Sequence, residues 1–341
     1  MQRKYYLTGG VGARRSGEAY GAAFELPHDA YNETCAAVAF VMWSHRMYLL
    51  SGEARAYDAL ERTLYNGTLS GISLSGDRFF YPNPLTYDGK ATGNHDHAGR
   101  APWFGCACCP PNVARLLASV GGYVAAVQDD RLDVGLYTAC TVEAQVAGTA
   151  VRLTQDTAYP AEGRVALTVV PATPTRFTLA LRLPGWVQGR PVPSSLYTYA
   201  DATPASWSLT IDGQRQEVTP QDGWLRMERT WGASTRVDLD LPMPIRVVQG
   251  SPDIPATRGQ AAFERGPIVY AVEGIDQPGR DLDRPVDLAT APATVAPPSG
   301  LTGLPALRLA TSEGSHLTAI PYFAWNNRGL APMRVWLRTG K

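Results

Sequence analysis

The chain has 341 residues, of which 45% are apolar and 18% charged, and its 31 basic residues balance its 31 acidic residues. This composition is typical of a soluble globular protein with roughly two domains, and the balanced charge excludes a strongly basic nucleic-acid or anionic-membrane binder. No apolar run reaches the length of about eighteen residues that a membrane span needs. Four of the five cysteines lie in two short segments, which argues against a secreted disulfide framework and favours a reducing cytoplasm.

Residues 1–126 are predicted to be helical. The segment from Glu33 to Leu50 is apolar on every side, as expected of a helix buried in a larger helical assembly. The segment from Glu53 to Tyr65 is amphipathic, and Asn66-Gly67 after it is a typical helix end. Four charged residues of this second helix are predicted to point away from the core: Arg55, Asp58, Glu61 and Arg62.

A third helix is predicted from Asn112 to Ala126, with Pro110 and Pro111 in its first turn, where a missing N–H costs nothing. Three or four helices, the first of them apolar all round, cannot bury themselves as an independent domain. The helical part is therefore predicted to be the second half of a larger assembly.

From about residue 127 the pattern changes to alternating apolar and polar residues with frequent turns. The runs Phe177–Leu183 and Val237–Leu241 show this alternation and predict strands. We expect an antiparallel β-sandwich over 127–247 and a second β-rich module over 248–341, with a long loop over 277–303. A final strand, Met333–Leu337, is expected to return to the sandwich.

The two cysteine-containing segments predict a metal site. Cys108 and Cys109 precede a predicted helix, where free N–H groups favour a thiolate, and Glu33 and Cys35 begin another. One carboxylate and three sulfurs form a ligand set for a thiophilic metal such as zinc, and a metal-bound thiolate can also serve as a nucleophile. Two alternatives stay open: buried, inert cysteines, or a disulfide that joins Cys106 to Cys109 or to Cys108.

Two further segments carry candidate functional residues. Glu18 follows a glycine-rich stretch and is either a general acid presented into a cleft or a solvated loop carboxylate. Tyr81, in an aromatic stretch, either lines a sugar site or packs within a strand. The five histidines form no metal-ligand pattern, and His95-Asp96-His97 is predicted to be a solvated loop.

Together these motifs resemble the β-L-arabinofuranosidases of glycoside hydrolase family 127 and their relatives in family 146, a former domain-of-unknown-function family. The resemblance covers essentially the whole chain. The segments that carry it are Tyr6–Gly12, Gly17-Glu18-Ala19, Glu25-Leu26-Pro27, Glu33-Thr34-Cys35-Ala36, Tyr81-Pro82-Asn83, Trp103–Pro110, Leu183–Trp186, Leu241–Pro244, Arg265-Gly266-Pro267 and Ala324–Gly329.

The resemblance implies a retaining hydrolase that removes terminal β-L-arabinofuranosyl residues from plant glycans. It implies Zn²⁺ on Glu33, Cys35, Cys108 and Cys109, with Cys108 also the nucleophile. Glu18 would be the acid/base, and Tyr81 would contact the substrate. The implied fold is an (α/α)6 barrel followed by β-sandwich domains, of which this chain would hold only part of the barrel.

The sequence departs from the family in two respects. First, the spacing between Glu18 and Glu33 is one residue shorter than expected. Second, the histidines that hold the sugar in the family would lie before Met1. Met1 would then be an internal start. A partial barrel predicts an exposed apolar surface, and hence an oligomer or a partner chain that completes the barrel. Two other functions stay open: an inactive fragment or sugar-binding protein, and a related glycosidase with another sugar specificity.

Overall fold

The computed structural model describes residues 3–90 and 93–340, so that Met1 lies outside the described residues. Its α-helices are α1 (Thr34–Ser51), α2 (Ala54–Arg62) and α3 (Cys109–Ser119). Helix α1 lies within one residue of the predicted bounds, and Gly52 ends it in the left-handed conformation that favours glycine. Within the described part of the chain, no helix is long and apolar enough to cross a membrane.

The Asn66-Gly67 pair does not end the second helix, contrary to the prediction. After α2 the chain continues through a π-helical stretch, Thr63–Thr68, and a 3-10 turn, Leu69–Gly71. The side-chain amide of Asn66 donates to the carbonyl oxygen of Pro267 at 2.9 Å, and its oxygen accepts from the N–H of Val269 at 2.8 Å. Asn66 therefore bonds to a distant part of the chain rather than terminating the helix.

Helix α3 is shifted towards the N-terminus relative to its prediction. It begins at Cys109, and the chain leaves the α-helical conformation in the 3-10 turn Val120–Tyr123. Gly121 and Gly122 lie in this turn, and glycine disfavours helix because its backbone loses the most entropy on ordering. Ala126, predicted to be helical, belongs instead to a strand.

The rest of the chain is mostly β-structure. Across residues 3–90 and 93–340 the strands, in chain order, are β1 Thr86–Tyr87, β2 Ala125–Gln128, β3 Arg131–Val134, β4 Cys140–Val146, β5 Thr149–Thr157, β6 Arg164–Pro171, β7 Thr175–Arg182, β8 Tyr197–Tyr199, β9 Ser208–Ile211, β10 Gln214–Arg215, β11 Trp224–Trp231, β12 Thr235–Asp240, β13 Ile245–Gly250, β14 Gln260–Arg265, β15 Ile268–Glu273, β16 Ala293–Val295, β17 Ala306–Ala310, β18 His316–Pro321, β19 Met333–Arg334 and β20 Leu337–Arg338. The fold is therefore mixed α and β, as predicted.

Two of the sheets share one apolar core. One has the strand order β11-β7-β3-β2 and the other β10-β9-β12-β6-β5-β4. Leu179 and Leu181 of the first sheet and Leu167 and Val237 of the second lie in the same buried cluster. The two strands predicted by alternation, β7 and β12, are confirmed. The pairing of β3 with β7 is parallel, whereas we expected only antiparallel pairs.

The third sheet contains the C-terminal strands. Its main order is β16-β17-β18-β15-β14-β13-β8, with β1, β19 and β20 attached at its side. The predicted final strand is divided into β19 and β20, which pair with β15 and β14 of this sheet. The segment 277–303 is mostly loop, as expected, apart from the short strand β16 and a 3-10 turn.

Asp58, Glu61 and Arg62 of α2 are largely buried, which contradicts the expectation that they point to solvent, whereas Arg55 is exposed as predicted. Glu61 and Arg62 are 2% and 3% exposed. Arg182 of β7 forms ion pairs with Glu61 and Asp58, and the Nη1 atom of Arg62 lies 2.8 Å from a carboxylate oxygen of Glu264 in β14. Helix α2 is therefore held by paired charges to the sandwich on one side and to the C-terminal sheet on the other.

Candidate metal centre and active site

Glu33 and Cys35 are positioned by the first turn of α1. Glu33 directly precedes this helix and forms an isolated β-bridge with Pro82. The backbone N–H of Thr34 donates to the carbonyl oxygen of Tyr81 at 2.8 Å, and its hydroxyl donates to the carbonyl oxygen of Phe80 at 2.8 Å. The segment that contains Tyr81 therefore fixes where α1 begins.

Cys108 and Cys109 are positioned by the first turn of α3, in which the two following prolines need no hydrogen-bond acceptor. The N–H of Cys108 donates to the hydroxyl of Tyr81 at 3.1 Å, and the Cys108 thiol lies 3.4 Å from the same hydroxyl. Tyr81, which is 2% exposed, thus contacts the beginnings of both helices. It brings together two segments that are more than seventy residues apart in the chain.

The four predicted metal ligands form one compact cluster. Their ligand atoms all lie within 4.8 Å of one another. The Sγ atom of Cys35 is 3.3 Å from that of Cys108 and 3.2 Å from that of Cys109. An oxygen of Glu33 lies 3.5 Å from the Cys108 sulfur and 3.4 Å from the Cys109 sulfur.

These distances are close to those of a tetrahedral metal site, with the two sulfur–sulfur distances at Cys35 on the short side. Ligands about 2.0 to 2.3 Å from a zinc ion lie about 3.3 to 3.8 Å apart. The cluster of Glu33, Cys35, Cys108 and Cys109 could therefore hold a metal ion with little rearrangement. All five cysteines are free, so neither disulfide considered from the sequence is present. Cys108 is exposed and Cys35 partly so, whereas the alternative of inert cysteines predicts burial of the whole set.

The cluster concentrates negative charge. The hydrogen bond between Cys35 and the Cys109 thiol lowers the pKa of Cys35 to about 7, and the hydrogen bond from the Asn112 amide contributes to this decrease. Burial raises the pKa of Cys108 to about 11, and the hydrogen bond with Cys35 raises the pKa of Cys109. Among the three thiols, that of Cys35 is therefore the most easily ionised. A divalent cation would compensate further ionisation.

Glu18 lies at the edge of this cluster. It ends a short 3-10 turn, Ser16–Glu18, and its backbone has a positive φ of 50°. The negative charge of Glu33 raises the pKa of the Glu18 carboxyl, as expected for two neighbouring carboxyl groups. Glu18 is exposed, and its carboxyl can therefore be reached by a ligand at the cluster.

Two residues at the site were not identified from the sequence. Asn112 donates a hydrogen bond from its side-chain amide to the Cys35 sulfur at 3.1 Å. Its position three residues after Cys109, on the same face of α3, was the available signal. His95, predicted to lie in a solvated loop, has its ring centroid 4.0 Å from that of Tyr81, and no spacing in the sequence indicated this contact.

Comparison with known proteins agrees with this geometry. Three family models match consecutive parts of the chain: the catalytic domain of the GH127 β-L-arabinofuranosidases over residues 1–122, the GH127 middle domain over 131–243, and the GH127 C-terminal domain over 245–338. The chain belongs to glycoside hydrolase family 127. The catalytic-domain match includes all four residues of the cluster and Glu18.

Individual relatives of this GH127 chain are similar over almost all of its length. It is 33% identical to a non-reducing end β-L-arabinofuranosidase of Bifidobacterium longum subsp. longum, over 99% of this chain and 54% of the relative. A solved GH127 β-arabinofuranosidase has a TM-score of 0.93 at 39% identity and is matched over 54% of its length. A GH127 β-L-arabinofuranosidase from Geobacillus stearothermophilus T6 has a TM-score of 0.89 at 35% identity, over 55% of its length. The chain therefore spans about half the length of these relatives.

Proposed function

We propose that this GH127 chain belongs to a retaining glycoside hydrolase that removes terminal β-L-arabinofuranosyl residues from glycans. The observation that carries the proposal is the compact cluster of Glu33, Cys35, Cys108 and Cys109 beside the accessible carboxyl of Glu18. The cluster supplies a sulfur nucleophile, and Glu18 supplies a group that can give and take a proton. Relatives named as β-L-arabinofuranosidases support the choice of sugar.

Exposure distinguishes the proposed nucleophile from the other two thiols of the cluster. Cys109 is fully buried and Cys35 partly buried, whereas Cys108 is exposed. We assign Glu33, Cys35, Cys108 and Cys109 as ligands of Zn²⁺, whose chemistry when bound is to keep thiols ionised at neutral pH. Three thiols and one carboxylate are a donor set that suits this ion.

The reaction takes place in two displacements. The Cys108 sulfur attacks the anomeric carbon while the bond to the leaving oxygen breaks, and Glu18 gives that oxygen its proton. Glu18 then takes a proton from water, whose oxygen attacks the anomeric carbon, and the carbon–sulfur bond breaks to return Cys108 to its thiolate. Tyr81, whose hydroxyl contacts Cys108, is assigned to position the sulfur and to contact the substrate.

The helical module, residues 1–126, is proposed to be part of an (α/α)6 barrel, followed by β-modules over 127–247 and 248–341. Helix α1 exposes Trp43, Leu49 and Leu50, of which Leu50 is 81% exposed. Apolar side chains exposed along one helix indicate that further helices pack there. In the active assembly we expect these helices from the rest of a longer protein or from a partner chain.

The proposal is tested by measuring zinc and activity in the same samples. We expect one zinc per chain in the reduced protein and hydrolysis of p-nitrophenyl β-L-arabinofuranoside. Cys108→Ser should abolish turnover and weaken zinc binding, whereas Cys140→Ser, a free cysteine in β4, should change neither. Turnover retained in Cys108→Ser would exclude this nucleophile. Sugar binding without hydrolysis by the parent protein would indicate a binding protein instead.

The acid/base role of Glu18 predicts a dependence on the leaving group. Glu18→Gln should slow the hydrolysis of natural glycosides more than that of aryl glycosides, because good leaving groups need less protonation. The measurement is the ratio of kcat/KM values for the two substrate classes in parent and variant. An equal decrease in kcat/KM for both substrate classes would argue against the acid/base role of Glu18.

A further inference from the structure

His95 lies at the tip of a tight two-residue turn. Asn94 and His97 exchange backbone hydrogen bonds of 3.2 and 3.1 Å, and His95 and Asp96 between them have φ values of 48° and 67°. Two consecutive positive φ values define a type I′ turn, which is normally occupied by asparagine or glycine. A histidine at such a position carries a conformational cost, and backbone strain of this kind is concentrated at functional sites.

The turn is fixed to the site from two sides. The buried side chain of Asn94 accepts from the N–H of Tyr81 at 2.8 Å and donates to the carbonyl oxygen of Gly99 at 2.8 Å. On the other side, Arg15, which belongs to the Glu18 segment, donates to the carbonyl oxygen of Gly93 at 3.0 Å. His95 is thus held at a defined position relative to both the proposed nucleophile and the proposed acid/base.

The imidazole ring of His95 packs against Tyr81 and, edge to face, against Phe104. Its centroid is 4.0 Å from that of Tyr81, and its Nε2 atom lies 3.3 Å from the hydroxyl of Tyr31. His95 is nevertheless exposed, and among the described residues Nδ1 has no hydrogen-bond partner. The ring therefore offers one oriented polar atom close to Tyr81, whose hydroxyl contacts Cys108.

We propose that His95 is a substrate-binding residue that hydrogen-bonds a hydroxyl group of the furanose ring bound at the cysteine cluster. The inference rests on the proposed function and adds a specificity-determining contact to it. The Tyr31 hydroxyl orients the ring by its contact with Nε2, which leaves Nδ1 for the sugar. The strained turn orders the ring before substrate arrives.

The test uses His95→Asn in the zinc-loaded chain. Asparagine suits the positive φ of the turn, so this variant removes the imidazole ring with little change to the backbone. We expect KM for p-nitrophenyl β-L-arabinofuranoside, and the inhibition constant of free L-arabinose, to rise about tenfold, as for loss of one hydrogen bond. The kcat value should fall less, and zinc content and melting temperature should stay at the parent values.

Two further variants separate binding from structure. His97→Asn, in the same turn, should leave KM unchanged, and Tyr31→Phe should raise KM less than His95→Asn does. KM and inhibition constants in His95→Asn equal to those of the parent would overturn this inference and leave the proposed function standing. Loss of zinc or of stability in His95→Asn would show that the ring has a structural role, and this result would also overturn the inference. A parent protein that neither hydrolyses the glycoside nor binds L-arabinose would overturn the proposed function, and this inference with it.

Discussion

The side-chain amide of Asn112 donates a hydrogen bond to the sulfur of Cys35 at 3.1 Å. The orientation of this amide is fixed in turn by Arg115, whose guanidinium donates to the Asn112 oxygen at 2.8 Å. Groups that hydrogen-bond a metal ligand orient it and adjust its charge, and their loss typically lowers metal affinity by about 10- to 100-fold. Asn112 therefore belongs to the proposed metal site although it is not itself a ligand.

Asn112→Ala should weaken zinc binding by about tenfold or more, because the Cys35 thiolate loses a donor. Competition with a chromophoric zinc chelator measures the dissociation constant directly. Arg115→Ala should weaken zinc binding less, because the Asn112 amide stays in place and loses only the contact that orients it. An Asn112→Ala protein with the parent dissociation constant would show that the hydrogen bond does not support metal binding.

Removing the carboxylate from the buried pair of Arg62 and Glu264 should strongly destabilise the fold. The two side chains are 3% and 0% exposed, so Glu264→Gln leaves a guanidinium buried without its counter-charge. The expected loss in the free energy of unfolding is about 3 to 5 kcal/mol. Urea unfolding followed by tryptophan fluorescence measures it.

The matched control is an ion pair whose two side chains are exposed to solvent. Arg176 and Glu228 lie 2.9 Å apart on the sandwich, with 70% and 60% of their side chains exposed. Glu228→Gln should cost at most about 1 kcal/mol, because water screens both charges. Similar losses in the two variants would contradict the view that burial sets the cost.

His28 should make the fold sensitive to acid. Burial lowers the pKa of His28 to about 4, the charge of Asp29 opposes this shift, and that of Arg334 adds to it. In the unfolded chain a histidine has a pKa near 6.5, so as pH falls from about 6.5 to about 4 the unfolded state gains protons that the folded state does not bind. Stability present above pH 6.5 is therefore lost over this interval, by up to about 3 kcal/mol.

His28→Phe should remove this component of the acid sensitivity. The imidazole of His28 is stacked against Trp336 with ring centroids 6.1 Å apart, and a phenyl ring can keep that contact. The measurement is the difference in unfolding free energy between variant and parent from pH 8 to pH 4. It should be constant above about pH 7 and then favour the variant increasingly as pH falls, whereas a constant difference throughout would contradict the shift.

The sequence predicted the residues of the site whose side chains are typical metal ligands. Three cysteines and a glutamate at two predicted helix starts indicated one ligand set, and the structure brings Glu33, Cys35, Cys108 and Cys109 within 4.8 Å of one another. Helix α1 was predicted from a long run that is apolar on every side, and strands β7 and β12 from the alternation of apolar and polar residues, which follows directly from strand geometry. These features depend on residue type and local spacing.

Periodicity could not predict which polar residues are buried by distant partners. Glu61 and Arg62 have the pattern of a solvated helix face, yet their charges pair with Arg182 and Glu264 in two different sheets. Asn66-Gly67 is a helix end by local preference, and hydrogen bonds to the Pro267–Val269 segment override it.

The sequence by itself determined which residues are candidate metal ligands, the order of helical and β-rich parts, and the family. Only the tertiary structure decided that Tyr81 joins the two cysteine-containing segments, that His95 lies on the Tyr81 ring, and that Glu61 and Arg62 are buried. The reason is physical: local propensities and patterns act between residues a few positions apart. Contacts across dozens or hundreds of residues depend on how whole elements pack, which no local spacing records.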